Sequence, residues 1–355
     1  MEETYLIPDD AGAGVTDAGE TIALSRAAFT HVEREALAKI RPTKFRQILR
    51  IDTSIPWWME SYEYDLVQET AQWLPTQEFT EDFATASVKL GKESFPLVEM
   101  ISGYRYRNRE MVRAAKLGQN LDSARAAAVF KKAETTLDHI AADGTLDGVK
   151  ALHPLIKGIY NQTSASAGSD TSTFQSGSAV RVIQGFSSGA SWEHQYSQID
   201  TLDKREAWFQ RVVDDVLRLE TASERATKET TPIDKVVLPL SVAPLMQVVR
   251  PYGGDQSVEQ AILSRARFIK SIVYWNRPDA KQYGADSTHK RRIVGLASND
   301  MDAARFVLPR APLPGRPVQV VQGVHVPVTM VLGGFNSKML DSIVYADLAD
   351  PGVTS

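Results

Sequence analysis

The sequence predicts an α+β fold, and three features support this prediction. Residues Leu121 to Ala142 have the apolar spacing of one long amphipathic helix, about 33 Å in length. Residues 62–67, 88–91 and 95–98 show alternating side-chain patterns in separate runs, which is typical of an extended antiparallel hairpin. From Asp203 onward, strand and helix patterns alternate and then give way to a strand-rich C-terminal segment.

Composition excludes several classes of protein. The chain has 355 residues, of which 43% are hydrophobic and 24% charged, which is ordinary for a globular protein. It has no cysteine, so disulfides, thiolate metal sites and a cysteine nucleophile are excluded. No run of eighteen apolar residues occurs and the N-terminus is acidic, so we expect a soluble protein made in a cytoplasm, without signal peptide or membrane span. A net charge of −4 argues against a dedicated nucleic-acid reader.

Charge is unevenly distributed over the first fifty residues. No lysine or arginine precedes Arg26, and the acidic residues before it are Glu2, Glu3, Asp9, Asp10, Asp17 and Glu20. A basic run follows, made of Arg34, Lys39, Arg41, Lys44, Arg46 and Arg50. Solvated surface is the favoured interpretation of both runs. An arm that meets an oppositely charged neighbour stays open as the alternative.

The N-terminal third predicts a tail, a helix and the hairpin. Residues 1–23 resemble a weakly ordered tail, and Leu24 to Ile40 have helical spacing. The first hairpin strand carries Tyr62 and Tyr64, and a polar middle from Gln77 to Ala86 joins the two arms. A hairpin of this length with polar residues on both faces cannot bury itself, so we expect its apolar residues to be covered by a neighbouring subunit.

Two helices follow the hairpin. A short one is capped by Asn108 and stopped at Gly118. The long one has a cap at Asn120 and a left-handed stop at Gly144. Its apolar stripe consists of Ala126, Val129, Phe130, Ala133, Leu137, Ile140 and Ala141. Nothing on this helix suggests chemistry, so its role is structural.

The second half predicts an α/β segment. Residues 161–178 are rich in Ser, Thr and Gly and indicate a mobile loop. Asp203 and Glu206 suggest a capping box, 235–240 and 269–275 predict strands, and 244–252 and 258–268 predict helices. A polar connection over 278–292 leads to the final strands, with breaks at Gly323 and at Gly333-Gly334.

One motif suggests an enzyme. An apolar run leads into Gly185-Phe186-Ser187-Ser188-Gly189, which fits the nucleophile elbow of serine hydrolases. The polar residues that follow lack helical spacing, although the elbow requires a helix there. His289 or His325 could serve as base, with Asp203 or Asp255 between, but no oxyanion loop precedes Ser187. A chance match is favoured, and a serine hydrolase using Ser187 is kept as an alternative.

Metal and cofactor motifs are missing from the sequence. The six histidines are His31, His139, His153, His194, His289 and His325, and none forms a metal-binding spacing. No phosphate-binding or dinucleotide-binding glycine motif occurs. Tyr104 and Tyr106 could stack on bases, but their alternation makes them one face of a strand first. We therefore predict no catalytic, cofactor-binding or metal-binding residues, and no enzyme.

The order of these parts resembles a known family. The segment GYRYRNREMVRAAKLGQNLDSARAAAVFKKAETTLDHIAADGTLDGVKALHP (Gly103 to Pro154) and the final QVVQGVHVPVTMVLGGFNSKMLDSIVYADL carry the resemblance. Together they resemble the major capsid proteins of tailed bacteriophages, whose Hong Kong 97-type fold is shared with encapsulins. The resemblance runs in order over about residues 24 to 348, and its motifs are architectural.

The resemblance implies five parts. These are an N-terminal arm with a short helix (1–52), an extension hairpin or E-loop (53–99), a peripheral-domain strand with the spine helix (100–144), an axial α/β domain (145–305) and C-terminal strands that return to the peripheral domain (306–355). Some members cross-link through a Lys and an Asn. Lys89 and Lys92 lie in the hairpin and Asn336 near the end, but nothing in the sequence places them together, so no bond is predicted.

The resemblance also implies a function. We expect a virion shell subunit, made in the host cytoplasm, that forms hexamers and pentamers of itself in an icosahedral capsid around double-stranded DNA, which it contacts without sequence specificity. A separate scaffolding protein and a portal are the expected partners, decoration proteins are left open, and no membrane is involved. An encapsulin-like compartment shell is the second alternative beside the hydrolase. No cofactor is expected.

Overall fold

The computed structural model describes residues 43–70, 87–117, 121–147, 149–162, 164–166, 180–183, 191–227, 230–252, 254–277, 289–321 and 323–349. The predicted tail, the helix over Leu24 to Ile40 and the polar middle of the hairpin lie outside these residues. The chain divides into two compact units. Among the described residues, the first unit takes in Glu99–Thr135 and Ala311–Met330, and the second takes in the rest.

The described residues form seven α-helices and fifteen β-strands. The helices are α1 (Lys44–Ile48), α2 (Asn108–Leu117), α3 (Leu121–Asp143), α4 (Trp192–Ser197), α5 (Leu202–Thr227), α6 (Ala243–Met246) and α7 (Val258–Arg265), with 3-10 turns at Leu240–Val242 and Leu340–Ser342. The strands are β1 (Arg50–Asp52), β2 (Ser61–Thr70), β3 (Ser87–Pro96), β4 (Val98–Arg107), β5 (Ser164–Ser166), β6 (Val180–Ile183), β7 (Lys235–Pro239), β8 (Ser271–Trp275), β9 (His289–Leu296), β10 (Arg305–Val307), β11 (Arg310–Pro314), β12 (Val318–Val320), β13 (Gly323–Leu332), β14 (Gly334–Asn336) and β15 (Ile343–Ala349).

The first unit is a four-stranded sheet packed on the N-terminal part of α3. Strand β13 pairs with β11, β12 and β4. The core between sheet and helix consists of Tyr104, Tyr106, Ala126, Phe130, Val324, Val326 and Val328. Alternate residues of β4 and β13 face this core, as the period of a strand requires. A side chain as small as that of Ala126 lets the helix approach the sheet closely.

The C-terminal part of α3 belongs to the second unit and ends where the sequence predicts. Leu137, Ile140 and Ala141 are fully buried. Gly144 has φ +73°, and its N–H donates to the carbonyl of Ile140 at 2.9 Å. This left-handed conformation suits glycine because it has no Cβ. The long helix and its glycine stop are therefore confirmed.

The second unit is built on a six-stranded mixed sheet in the order β5-β6-β15-β9-β7-β8. Helix α5 lies in its main core, where the predicted face of Phe209, Val212, Val213 and Val216 is fully buried. A separate three-stranded sheet runs in the order β1-β10-β14. The strands predicted over 235–240 and 269–275 are present as β7 and β8.

The last strand corrects one part of the predicted organisation. All strands after residue 306 were expected beside the spine helix, but β15 pairs with β6 and β9 in the six-stranded sheet. Val344, Tyr345 and Ala346 are all fully buried. A strand apolar on both faces belongs in the middle of a covered sheet, and this explains its place. The remainder of the five-part division stays a prediction.

Two local predictions in the α/β segment are wrong. The helix over 244–252 is only the single turn α6, because Val249 forms a bridge with Ser257 instead. The proposed capping box at the start of α5 does not form. Glu206 accepts hydrogen bonds from Arg250 at 2.7 and 2.8 Å, and these contacts hold the pKa of Glu206 below its usual range. A true capping box joins Ser257 and Gln260 at α7.

Two segments predicted as loops contain strands. Residues 164–166 of the Ser/Thr-rich stretch form β5, which pairs with β6. Strand β9 begins at His289 inside the predicted polar connection. Its Arg291 and Arg292 are each only 5% exposed, because carboxylates neutralise both side chains. In the sequence these two charged residues indicate a polar connection, and the buried strand was therefore not predicted.

Candidate assembly surface

The hairpin is a long two-stranded ribbon of the second unit. Strands β2 and β3 pair in unbroken antiparallel register from Ser61↔Pro96 to Thr70↔Ser87. Ten residues per strand correspond to about 30 Å. Among the strands described, neither pairs with any third strand. A two-stranded ribbon is marginally stable by itself in water. The role of the hairpin therefore depends on the contacts that hold its base and on the surface that covers its outer part.

The base of the hairpin is anchored within its own subunit. Tyr64 is 6% exposed and stacks on Phe95 at 5.6 Å between ring centres. The Arg305 guanidinium lies over the Tyr62 ring at 5.3 Å, and the Lys338 ammonium lies 5.7 Å from the Tyr64 ring centre. Cation–π contacts of this geometry are attractive. The expectation that a neighbour covers Tyr64 is therefore wrong, and for the outer part of the hairpin it stays a prediction.

A buried ion pair fixes the position of Arg305. Its Nη1 donates to Asp52 Oδ2 at 2.9 Å, and both side chains are less than a tenth exposed. Asp52 also accepts from the backbone N–H of Ser54 at 2.9 Å. Strand β10, which carries Arg305, pairs with β1 and β14. The Arg305 guanidinium is thus held by a strand of a sheet and not by a mobile loop. Its contact with the Tyr62 ring therefore orients the first residues of β2.

Exposed aromatic residues lie directly before the hairpin. Trp57 is 53% exposed, Trp58 69% and Met59 38%, and the Arg310 guanidinium lies 4.9 Å from the Trp57 ring centre. Tryptophan, methionine and arginine are enriched in protein interfaces. No sequence pattern had predicted a role for these residues. The signal was present as two adjacent tryptophans next to a proline, immediately before an alternating strand.

Ser187 lies outside the described residues, but its flanks are described. Strand β6 precedes it, as the elbow motif predicts. A helix also follows it, contrary to the sequence interpretation: α4 begins at Trp192 and is capped by Ser191, whose Oγ accepts from the His194 N–H. This cap lies four residues beyond Ser187, whereas an elbow places the serine at the turn into the helix.

The proposed partners of Ser187 have other contacts or belong elsewhere. Asp203 accepts a hydrogen bond from the Tyr252 hydroxyl at 2.8 Å. His325 belongs to the first unit, where its ring lies against Gly103. His289 begins β9, with its side chain outside the described part of the chain, and Asp255 is exposed. A serine hydrolase using Ser187 therefore stays the alternative.

We expect Ser187→Ala to leave solubility, thermal unfolding and particle formation unchanged. If the motif match is coincidental, the change removes only one hydroxyl group, and we expect it to change stability by less than about 0.5 kcal/mol. The wild-type protein should also fail to react with fluorophosphonate probes. Stoichiometric labelling that Ser187→Ala removes, while Ser188→Ala retains it, would establish the hydrolase instead.

Histidines among the described residues are candidate metal ligands. The His153 Nδ1 accepts from the Leu155 N–H at 3.2 Å, and His31 lies outside the described residues. Within the described ranges, no group of three or more His, Asp or Glu side chains could hold a metal ion. No helix among them is long and apolar enough to cross a bilayer.

The residues considered for a covalent cross-link differ in how exposed their side chains are. Asn336 is 1% exposed on β14, and Lys92 is exposed on β3. The side chain of Lys89 lies outside the description. A buried amide is not available to an exposed lysine without rearrangement.

Comparison with known proteins identifies the fold. Neither the scan against protein families nor the search of curated proteins found a match. Solved structures do match. The capsid of Myoviridae phage XM1 has a TM-score of 0.63 at 12% identity, covering 87% of this chain and 94% of that chain. The capsids of the empty and native GTA particles give TM-scores of 0.55 and 0.54 at 12% and 13% identity, each covering 88% of this chain and 93% of theirs.

The chain therefore has the fold of these capsid proteins. The α+β class and the Hong Kong 97-type capsid fold predicted from the sequence are confirmed. At identities of 12–13% it is the fold that is shared.

Proposed function

We propose that this chain is a major capsid protein that self-assembles into an icosahedral shell enclosing viral double-stranded DNA. One observation carries the proposal: the match to the capsid of phage XM1 spans 87% of this chain and 94% of that one. The shared fold thus includes nearly the entire subunit. The anchored hairpin and the exposed Trp57 and Trp58 support it, because both are surfaces that a solitary globular protein does not need.

The parts of the subunit take these roles in the proposal. Residues 53–99 form the extension hairpin, 121–143 the spine helix, 145–305 with β15 the axial domain, and the sheet around β13 the peripheral domain. The partners are other copies of the chain in hexamers and pentamers, a separate scaffolding protein and a portal. The protein is made in the host cytoplasm, resides in the virion and catalyses no reaction. DNA is contacted through phosphates, weakly and without sequence choice, so that salt weakens the contact.

Imaging of the purified protein tests the proposal. Negative-stain micrographs of the protein, alone and coexpressed with a candidate scaffolding protein, should show closed shells or hexamers and pentamers. Subunits with isologous or ring-closing interfaces give such closed species. A monodisperse monomer in every preparation would contradict the proposal, and fluorophosphonate reactivity of that monomer would favour the hydrolase.

A further inference from the structure

The two described segments of the first unit are basic, while the chain as a whole is acidic. Segments Glu99–Thr135 and Ala311–Met330 contain nine lysine and arginine residues and four aspartate and glutamate residues, a net charge of +5. The whole chain carries −4. The remaining residues therefore carry −9. A positive surface of this kind attracts an acidic partner over about a Debye length, which is ~8 Å at physiological salt.

Three of these nine positive residues lie on or beside the sheet face that α3 does not cover, and the other six lie on α2 and α3. Tyr104 and Tyr106 point into the core, so Arg105 and Arg107 point to the opposite side, and both are exposed. Arg316 is exposed in the connection between β11 and β12. That connection adjoins β13, because the Gly315 N–H donates to the Pro327 carbonyl at 2.7 Å. With the described side chains, Arg105 and Arg316 form no salt bridge.

The same face carries exposed apolar residues. Ile101, on the same side of β4 as Arg105, is 70% exposed. Val318 is 52% exposed and pairs with His325 in the register of β12 and β13. The acidic residue on this side of β4 is Glu99, six residues and about 20 Å from Arg105. A partner for this face must therefore combine negative charge with apolar side chains.

We propose that residues Glu2–Asp10 of the chain dock on this exposed sheet face. Their sequence, EETYLIPDD, places the apolar run Tyr5-Leu6-Ile7 between two pairs of acidic residues, and no lysine or arginine occurs before Arg26. The acidic pairs complement Arg105, Arg107 and Arg316, and the apolar run complements Ile101 and Val318. Residues 2–10 lie outside the described part of the chain, and up to about 100 Å of extended chain can separate residue 10 from residue 43.

The observations favour this segment over DNA as the occupant. DNA phosphates provide no contact for Ile101 or Val318, whereas the tail supplies both charge and apolar surface. The tail is also covalently attached, which raises its effective concentration toward the millimolar range without further contacts. Weak charge-assisted contacts suffice under those conditions, either within one subunit or between adjacent copies.

Disulfide trapping in the full chain tests the docking. Because the protein has no cysteine, Thr4→Cys and Thr329→Cys introduce one reporter in the tail and one on the outward side of β13. The matched control pairs Thr4→Cys with Thr221→Cys, which is exposed on α5 of the second unit. Mild oxidation at 50 mM NaCl should cross-link the first pair about tenfold faster than the control, and 500 mM NaCl should remove most of the difference. Monomeric or dimeric products on a non-reducing gel show whether the tail comes from the same copy.

Two further variants keep the test specific. The first variant combines Arg105→Gln, Arg107→Gln and Arg316→Gln, and it should abolish the faster cross-linking of the first cysteine pair. The control variant combines Lys131→Gln and Lys132→Gln, at exposed positions of α3, and it should retain that faster cross-linking. Equal rates for the two cysteine pairs, or a preference that survives the triple arginine change, would overturn the proposal. If the two cysteine pairs cross-link at equal rates with all three arginines present, and the triple arginine change abolishes binding to a 20-base-pair duplex, the face is assigned to DNA instead.

Discussion

Replacing residues 67–90 with Asn-Gly should give a folded subunit that no longer forms closed shells. Leu66 and Gly91 are directly paired in the hairpin, so a two-residue turn can join them without changing the register. The anchored base, with Tyr62, Tyr64 and Phe95, is retained. The removed part pairs only with itself among the described strands, so we expect the folded core to keep its support.

The loss of assembly follows from the surface that the hairpin supplies. A standard interface buries ~1,600 Å² in total, and a ribbon of about 30 Å laid on a neighbour supplies a large share of one side. Circular dichroism melts should match the wild type within a few degrees, while particles disappear from sedimentation profiles. Tyr64→Ala is the contrasting control: it removes a buried aromatic at the base and should cost roughly 3 kcal/mol of folding free energy.

Two results would contradict this account of the hairpin. If the shortened protein assembles normally, the outer hairpin contributes no essential contact. If it fails to fold while the melting of the wild type is cooperative, the outer hairpin belongs to the core of the subunit.

Asp138→Ala should destabilise the second unit strongly. The buried carboxylate of Asp138 accepts from the Trp275 indole N–H at 3.1 Å, from the Phe45 backbone N–H at 3.2 Å and from Arg277 Nε at 3.4 Å. Alanine leaves these donors without an acceptor, and unpaired buried donors cost about 1–3 kcal/mol each. Since Arg277 retains some exposure, we expect a loss of roughly 3 kcal/mol in urea unfolding.

Two controls separate this contact network from simple helix propensity. Asp138→Asn keeps a carbonyl oxygen for the Trp275 N–H and should lose about half as much stability. Lys132→Ala changes an exposed residue of the same helix and should change stability by less than about 0.5 kcal/mol. Equal stability of Asp138→Ala and wild type would mean that these three hydrogen bonds contribute nothing to the fold.

Sequence patterns predicted those elements whose cause is local. Helix α3 has its apolar spacing and its glycine stop within one segment, and the alternation around Tyr62 lies within one strand. Strand β9 was missed because its Arg291 and Arg292 resemble a polar connection. Their partners, Glu193 and Asp347, are 98 and 55 residues away. Only the folded chain brings these charges together.

The candidate surface was predictable in outline and not in its details. The need for a partner followed from the polar hairpin, but the anchoring of its base did not, because Tyr62 meets Arg305 only through long-range folding. The place of β15 was missed for a similar reason. Its apolar residues fit a covered strand in either unit, and the pairing with β9 decides between them.

The particle mass of the purified wild-type protein tests the central claim most directly. A closed icosahedral shell contains a multiple of 60 subunits, unless a portal replaces a vertex. For a chain of 39.2 kDa the smallest such shell therefore weighs about 2.4 MDa. Mass photometry and sedimentation of protein produced alone and with a candidate scaffolding protein should show a discrete species at such a multiple, beside capsomers of five or six copies. A single species at the mass of one chain, under both conditions and across salt concentrations, would contradict the assignment as a capsid protein.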